Sequence, residues 1–234
     1  MSSIFNARAT EQEENHWLSV SDLMAGLMVV FLFIAIALMR DAINSAAKMR
    51  EVAITYQQSQ VDIYNALADE FDDDLERWDA KIDQDTLTFT FQSPDVLFET
   101  GEITLNLLYQ ELLADFFPRY MEALEPYKDA ISEVRIEGHT SSRWNSSTTD
   151  ADAYFLNMEL SQGRTRSVLD YVYSLESVAP HRDWIKGHVA AVGLSSSKTI
   201  IVDGSEDLLR SQRVSFRVIS NADVRIKQII EVDE

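Results

Sequence analysis

No cysteine occurs among the 234 residues, which excludes disulfides, cysteine-ligated zinc and thiol chemistry. Positive charge is scarce: 20 Lys and Arg stand against 39 Asp and Glu, a formal net charge of −19. Nucleic acid and anionic lipid both repel such a chain, so direct nucleic-acid binding is not expected. No glycine loop suited to cradling phosphate is encoded, which leaves nucleotide hydrolysis without a site. No Gly-x-Ser-x-Gly elbow accompanies Ser195, Ser196 and Ser197, and this cluster reads as loop composition. The four histidines, His16, His139, His181 and His188, share no metal-ligand spacing. The expectation is a protein that is not an enzyme and holds neither cofactor nor resident metal. The start of the chain does not read as a cleavable signal, and an uncleaved anchor is expected. Glu11, Glu13 and Glu14 stand where a signal carries basic residues, and no small-residue cleavage site follows before Arg40.

What the chain has instead is one long apolar run. Residues 23–39 contain no charged or strongly polar side chain, and with the lead-in from Leu18 the run reaches the ~20 residues of a bilayer-spanning helix. Arg40 and Asp41 end it. Asp22 is the anomaly, about one turn inside the first end of the span. A carboxylate at the membrane centre costs roughly 2.5–3.5 kcal/mol on insertion scales, and less near the interface. One reading makes Asp22 a helix-start residue at headgroup level, favoured by the helix dipole. The other makes it an ion-carrying carboxylate inside a helix bundle. Ala25 and Gly26 share its face and admit a close neighbour, while Ser19 and Ser21 add oxygens.

The pattern Trp-x-x-x-x-Asp-Leu-Met-x-x-Leu-Met-x-x-Phe-Leu over 17–32 resembles the transmembrane helix of the MotB family of ion-driven motor subunits. Its continuation through Ile34 is closer still to the B subunits of Zorya anti-phage defence motors. That resemblance implies that Asp22, with Ser21 beside it, binds the transported H+ or Na+. It implies a homodimer of this chain inside a ring of five MotA-like A subunits. It also implies a bacterial inner-membrane protein with its N-terminus in the cytoplasm and its large domain in the periplasm. The local charge bias, Arg8 before the span against Arg40, Lys48 and Arg50 after it, points the other way. An obligate partner can decide so weak a bias.

Around the span, residues 1–16 are polar and acidic without periodicity and read as a cytoplasmic tail. Residues 40–82 read as a helical linker, with no Gly or Pro over 41–78 and a fold-back where it joins the domain. The acidic run over 70–76 lacks the glycine and spacing of a calcium loop and reads as a solvated helix face. Residues 83–222 read as one α/β domain and 223–234 as a C-terminal tail. In the domain Leu87, Phe89 and Phe91 alternate with Thr88, Thr90 and Gln92 as a strand does, and a loop runs over 93–101. A helix is expected over 103–124, where Leu105, Leu108, Leu112, Leu113 and Phe116 form a stripe and Pro118 is placed to kink or divide it. Strands at 134–138, 188–193 and 213–219 and a helix over 157–175 complete a β-α-β-α-β-β order. That order gives a mixed sheet with helices on one face.

This order, with Phe-x-Thr-Gly at 98–101, Ile-x-Gly-His-Thr at 136–140, Asn-x-x-Leu-Ser-x-x-Arg-x-x-x-Val at 157–168 and Arg-Val-x-x-x-Val at 213–218, resembles the OmpA-like peptidoglycan-binding domain. The resemblance implies that Asn157, Leu160, Arg164 and Arg213 contact the peptide stem of the cell wall, where a guanidinium forks onto a carboxylate. His139 is expected to be a structural hydrogen-bonder in the Gly-His-Thr turn. Family members carry aspartate after Gly-His-Thr to meet a diaminopimelate ammonium, and this chain has Ser141. A hydroxyl cannot supply that charge, so binding weakens or another acid substitutes, with Asp150 and Asp152 as candidates. Ser211 stands where the family has asparagine. The readings left open are a Zorya B subunit, a flagellar-type stator subunit, and a static tether from membrane to wall.

Overall fold

The structure, a computed structural model, describes the backbone of residues 3–92 and 97–221, and their side chains from residue 20 onward. The expected tail at 223–234 and the first part of the loop over 93–101 lie outside the described residues. The chain divides into two units, Met1–Glu51 and Val52–Glu234.

Helix α1 (Ser3–Leu75) supplies the described part of the first unit and the opening of the second. Two expected boundaries give way to it. Residues 1–16 are not a non-periodic tail, because the helix starts at Ser3. Ala7, Arg8, Ala9, Glu11, Gln12, Glu13 and Glu14 are good helix formers and the first glycine is Gly26, so nothing stops the helix earlier. Residues 40–75 are helical, as the linker reading expects, but the later ones also serve the domain. The helix runs unbroken to Leu75, and Ile63, Leu67 and Phe71, spaced four apart, are wholly buried in the domain core.

The next element extends the domain further toward the N-terminus. Strand β1 (Ala80–Asp83) pairs antiparallel with β2 (Thr88–Phe91). Asp83 closes their hairpin by accepting from the Thr86 N–H at 2.8 Å and its hydroxyl at 2.6 Å. Helix α2 (Leu107–Leu124) starts four residues later than its apolar stripe predicts. Asn106 takes the Tyr109 N–H at 2.7 Å as N-cap, and Leu105 forms a bridge with Phe98 instead of a first helical turn. Leu108 is therefore exposed and Leu112 half-buried, while Leu113 and Phe116 face the core. Pro118 does not divide the helix. Phe116, Phe117, Tyr120 and Met121 are buried on both sides of it. At roughly 1.5–3 kcal/mol each, their burial exceeds the ~3 kcal/mol cost of an internal proline.

After a 3-10 turn (Glu125–Ala130), β3 (Ile131–His139) enters the sheet. Helix α3 (Asp150–Ser174) begins seven residues before the expected start because Thr149 caps it, accepting from the Asp152 N–H at 3.2 Å. A 3-10 turn (Glu176–His181), α4 (Arg182–His188) and β4 (Val189–Gly193) follow. Then come a small hairpin of β5 (Ile201–Val202) and β6 (Ser205–Glu206), a short α5 (Leu208–Ser211) and β7 (Arg213–Ser220). The five-stranded sheet has the order β1-β2-β7-β3-β4, antiparallel except for the β3–β4 pair. It is the mixed sheet expected, in an α/β domain that one long N-terminal helix leads into.

One sheet face is apolar because the register lines up Phe89 with Phe216 and Phe216 with Ile136. Phe116 of α2 lies 4.7 Å from Phe89 and 5.0 Å from Phe216, and Phe71 of α1 sits 5.2 Å from Phe116, ring centre to ring centre. Helix α3 closes on the same face at two glycines. A Cβ on Gly138 would fall 2.7 Å from the Ser161 carbonyl oxygen, and one on Gly193 only 2.4 Å from the Gln162 nitrogen. This close approach lets α3 meet the ends of β3 and β4, where the site lies.

Candidate functional site

The first unit offers one polar feature in an apolar helix. Among the described residues a single helix is long and apolar enough to cross a membrane, and none of its most apolar stretch is buried. Leu23, Met28, Phe33 and Leu38 are all well exposed, so the helix is apolar all round. Ser21 and Asp22 lie one turn inside that run, also exposed. A Cβ added to Gly26, on the Asp22 face, would meet nothing within 4 Å.

The second unit gathers the other expected residues at one end of the sheet. Asn157 is 3% exposed on α3, and its amide donates to the carbonyls of Ser141 at 3.1 Å and Arg143 at 3.3 Å. Leu160 follows one turn later, half-exposed, and Arg164 one turn after that. The Arg164 guanidinium donates to the carbonyls of Glu102 at 2.9 Å and Glu99 at 3.2 Å, and its centre lies 4.8 Å from the Phe98 ring centre. Arg213, at the start of β7, donates to the carbonyls of Ser211 at 3.0 Å and Lys198 at 3.0 Å. Arg164 and Arg213 line one small pocket with Phe98, His139 and Ser161. Burial pulls both guanidinium groups down from their ordinary value, and Glu137 partly offsets this for Arg213. From so high a starting point both stay cationic. The pocket thus brings two held guanidinium groups together around a space of about 10 Å³, the size of one water molecule.

His139 ends β3 in the sheet instead of lying in a turn, and its contacts are long. Its Nε2 is 3.6 Å from Glu137 and 3.5 Å from the Ser215 hydroxyl, while Nδ1 has no protein partner among the described residues. Burial pulls the imidazole down, with Glu137 pulling the other way. Burial pushes the Glu137 carboxyl up, but the His139 hydrogen bond with the Lys198 and Arg217 charges outweighs this and holds it below the usual range.

Two residues matter here that their local sequence gives no reason to choose. Ser195 is fully buried: its N–H donates to the Ser161 hydroxyl at 3.1 Å, its hydroxyl to the Tyr154 carbonyl at 2.6 Å, and its carbonyl accepts from the Thr140 N–H at 2.9 Å. It lies in a turn, as its reading as loop composition has it, and from there it locks β3 to α3. Glu206, on the β5–β6 hairpin, accepts from the Ser142 N–H at 2.9 Å and from its hydroxyl. It brings a carboxylate beside Ser141 across 64 residues of sequence. Asp152 is tied into the helix cap, its carboxylate accepting from the Thr149 hydroxyl at 2.7 Å, and Asp150 is exposed at the first turn of α3. Among the described residues no His, Asp or Glu cluster could hold a metal ion.

The sequence itself decides the family. The chain is 51% identical over 222 residues to the Zorya protein ZorB of Escherichia coli, covering 94% of both chains. It belongs to the ZorB family. No family model matches the chain. Solved structures to which it is similar include a putative MotB-like protein from Desulfovibrio vulgaris, with TM-score 0.49, 22% identity, and coverage of 73% of this chain and 94% of that one. Another is the cell wall anchor of the T6SS from Pseudomonas aeruginosa, with TM-score 0.47, 24% identity, and coverage of 66% and 96%. Membership of the ZorB family covers α1 together with the sheet domain, so both the Asp22 helix and the Arg164–Arg213 pocket fall inside the matched length.

Proposed function

We propose that this chain is the ion-conducting, peptidoglycan-anchored B subunit of a Zorya defence motor. The observation that carries the reading is that a match to ZorB, 51% identical over 94% of the chain, spans both an acid in an apolar helix and a pocket lined by two arginines. In this reading two copies pair their α1 helices within a ring of five A subunits, N-termini in the cytoplasm and sheet domains in the periplasm. Inside such a bundle the charged form of Asp22 is penalised by desolvation, so the carboxylate takes up a proton or sodium ion and releases it on the far side. Each charge crossing the membrane potential yields ~2.3 kcal/mol per 100 mV. Alternate loading of two such acids steps the ring around the pair, and Ser21 adds an oxygen beside each.

The sheet domain supplies the fixed point. Arg164 and Arg213 take the carboxylates of the wall's peptide stem, with Asn157 holding the 141–143 loop beside them and Leu160 packing on the stem. Glu206 supplies the negative charge that Ser141 lacks. The test is Asp22→Asn in cells under phage attack. The variant is expected to insert and assemble normally while ion flux vanishes and plaque counts rise to those of undefended cells. Undiminished protection would leave a static tether as the function.

A further inference from the structure

Beside the paired-arginine pocket, α3 carries a second concavity of a different chemistry. Ser147, Thr148, Asp152, Phe155, Leu156 and Glu159 line an open groove of about 540 Å³. Phe155 is 70% exposed there, an unusual place for a bare aromatic ring in a domain whose other phenylalanines described are buried. Tyr154 meets the ring edge-on at 5.5 Å, and the backbone beneath is held where the Ser195 hydroxyl donates to the Tyr154 carbonyl at 2.6 Å. The groove's other wall is equally ordered, since Asn145 accepts from the hydroxyls of Ser147 at 2.9 Å and Thr148 at 2.6 Å. Trp144, on the same loop, is exposed as well.

We propose that this groove is a glycan subsite, taking the neutral N-acetylated sugar strand of peptidoglycan while the arginine pocket takes the stem. The inference rests on the peptidoglycan reading given above and adds the sugar strand to it. Three features select this occupant. An exposed aromatic face suits the C–H face of a pyranose ring, and the groove's carboxylates and hydroxyls accept from sugar hydroxyls. Asp152 and Glu159 make the groove acidic, which repels the carboxylates of a stem peptide but not a neutral sugar. Finally, one loop borders both places. Ser147 and Thr148 line the groove, and the Asn157 amide holds the Ser141 and Arg143 carbonyls of the same loop. A sugar in the groove thus lies against the loop that borders the stem site.

The experiment uses the full chain in detergent with three probes: glycan strands stripped of stems by an amidase, free stem tetrapeptide containing diaminopimelate, and intact sacculi. Wild type is expected to bind all three. Phe155→Leu should weaken binding to stripped strands about tenfold and leave free-stem binding unchanged, whereas Phe155→Tyr keeps an aromatic face and keeps strand binding. Arg164→Ala should show the opposite preference. Because Phe155 is exposed, all its variants should melt with wild type. Stem binding without strand binding in wild type overturns the subsite and leaves the peptidoglycan reading intact. Failure to bind any of the three probes removes both. Equal strand binding by Phe155→Leu and Phe155→Tyr overturns the subsite and makes the groove a protein-docking face.

Discussion

In the proposed reading Glu206 restores from a distance the charge that Ser141 lacks. Its carboxylate accepts from the Ser142 N–H at 2.9 Å, so a negative charge stands one residue from the hydroxyl of Ser141. Glu206→Gln keeps an acceptor for the Ser142 N–H, puts a donor where the Ser142 hydroxyl now donates, and removes the charge. It is expected to weaken binding of a diaminopimelate stem about tenfold, and to change nothing for a stem whose side amine is acetylated. Equal losses for both stems would move the ammonium partner elsewhere. The local motif could not reveal Glu206, because the acid is supplied by a hairpin of two-residue strands with no periodicity of their own. Arg164 and Arg213 were singled out by the resemblance, and the structure holds both through backbone carbonyls, which any sequence supplies.

His139 adds a pH dependence whose direction follows from its burial. Its folded-state value lies below the ordinary 6.5, so an unfolded chain takes up a proton that the folded domain resists. Stability is therefore complete above about pH 6.5 and is lost as pH falls from there through the folded value. Glu137, held below its ordinary 4.5, adds a second loss in the same direction that starts only below that value. The thermal midpoint is expected to fall between pH 7.5 and 5.5, and to fall less in His139→Gln. Parallel slopes in the two proteins would assign the dependence to other groups.

At the scale of elements, the decisive one is the end of α1. The acidic run over 70–76 is not simply a solvated face. Arg119 of α2 binds Glu70 through Nε at 2.6 Å, Asp74 through Nη1 at 2.8 Å and the Glu70 carbonyl through Nη2 at 2.8 Å. Burial pulls this guanidinium down, and its bonds to Glu70, Asp74 and Asp115 more than offset that. The side chain also lies over Phe71, 4.9 Å from the ring centre. Since the group is partly solvated, Arg119→Leu should cost only about 1–2 kcal/mol. The loss should fall on one element: amides over 63–75 should exchange faster while those of β3 and β7 keep their protection. Uniform acceleration would mean that the end of α1 unfolds only with the whole domain.

Helical spacing of Ile63, Tyr64, Leu67 and Phe71 was readable, but not that these residues belong to the domain core. A helix stripe says which face is apolar and not what covers it, and here the cover comes from Phe89 and Phe116, 18 and 45 residues further on. Strands β2, β3, β4 and β7 carried alternation or motifs long enough to read. Strand β1 and the β5–β6 hairpin are too short for alternation to stand out, and exist because a neighbour offers hydrogen bonds. Helix starts were the least legible boundaries, because Asn106 and Thr149 set them by capping while the apolar stripes begin elsewhere.

For the whole molecule, the motor proposed above puts drive and anchorage in series. A ring stepping on Asp22 delivers work only if the B dimer resists turning, and a wall-bound domain resists nothing unless an ion turns the ring. The two sites lie in separate units, so each can be removed without dismantling the other. Asp22→Asn should still sediment with purified sacculi as wild type does, and Arg164→Ala should still insert and assemble in the membrane. Each alone should abolish protection against phage, and the double variant should be no worse than either, because two breaks in one series act as one. Partial protection in each single variant, with a further drop in the double, would mean parallel contributions. The chain would then be a scaffold with two independent uses and not a motor subunit.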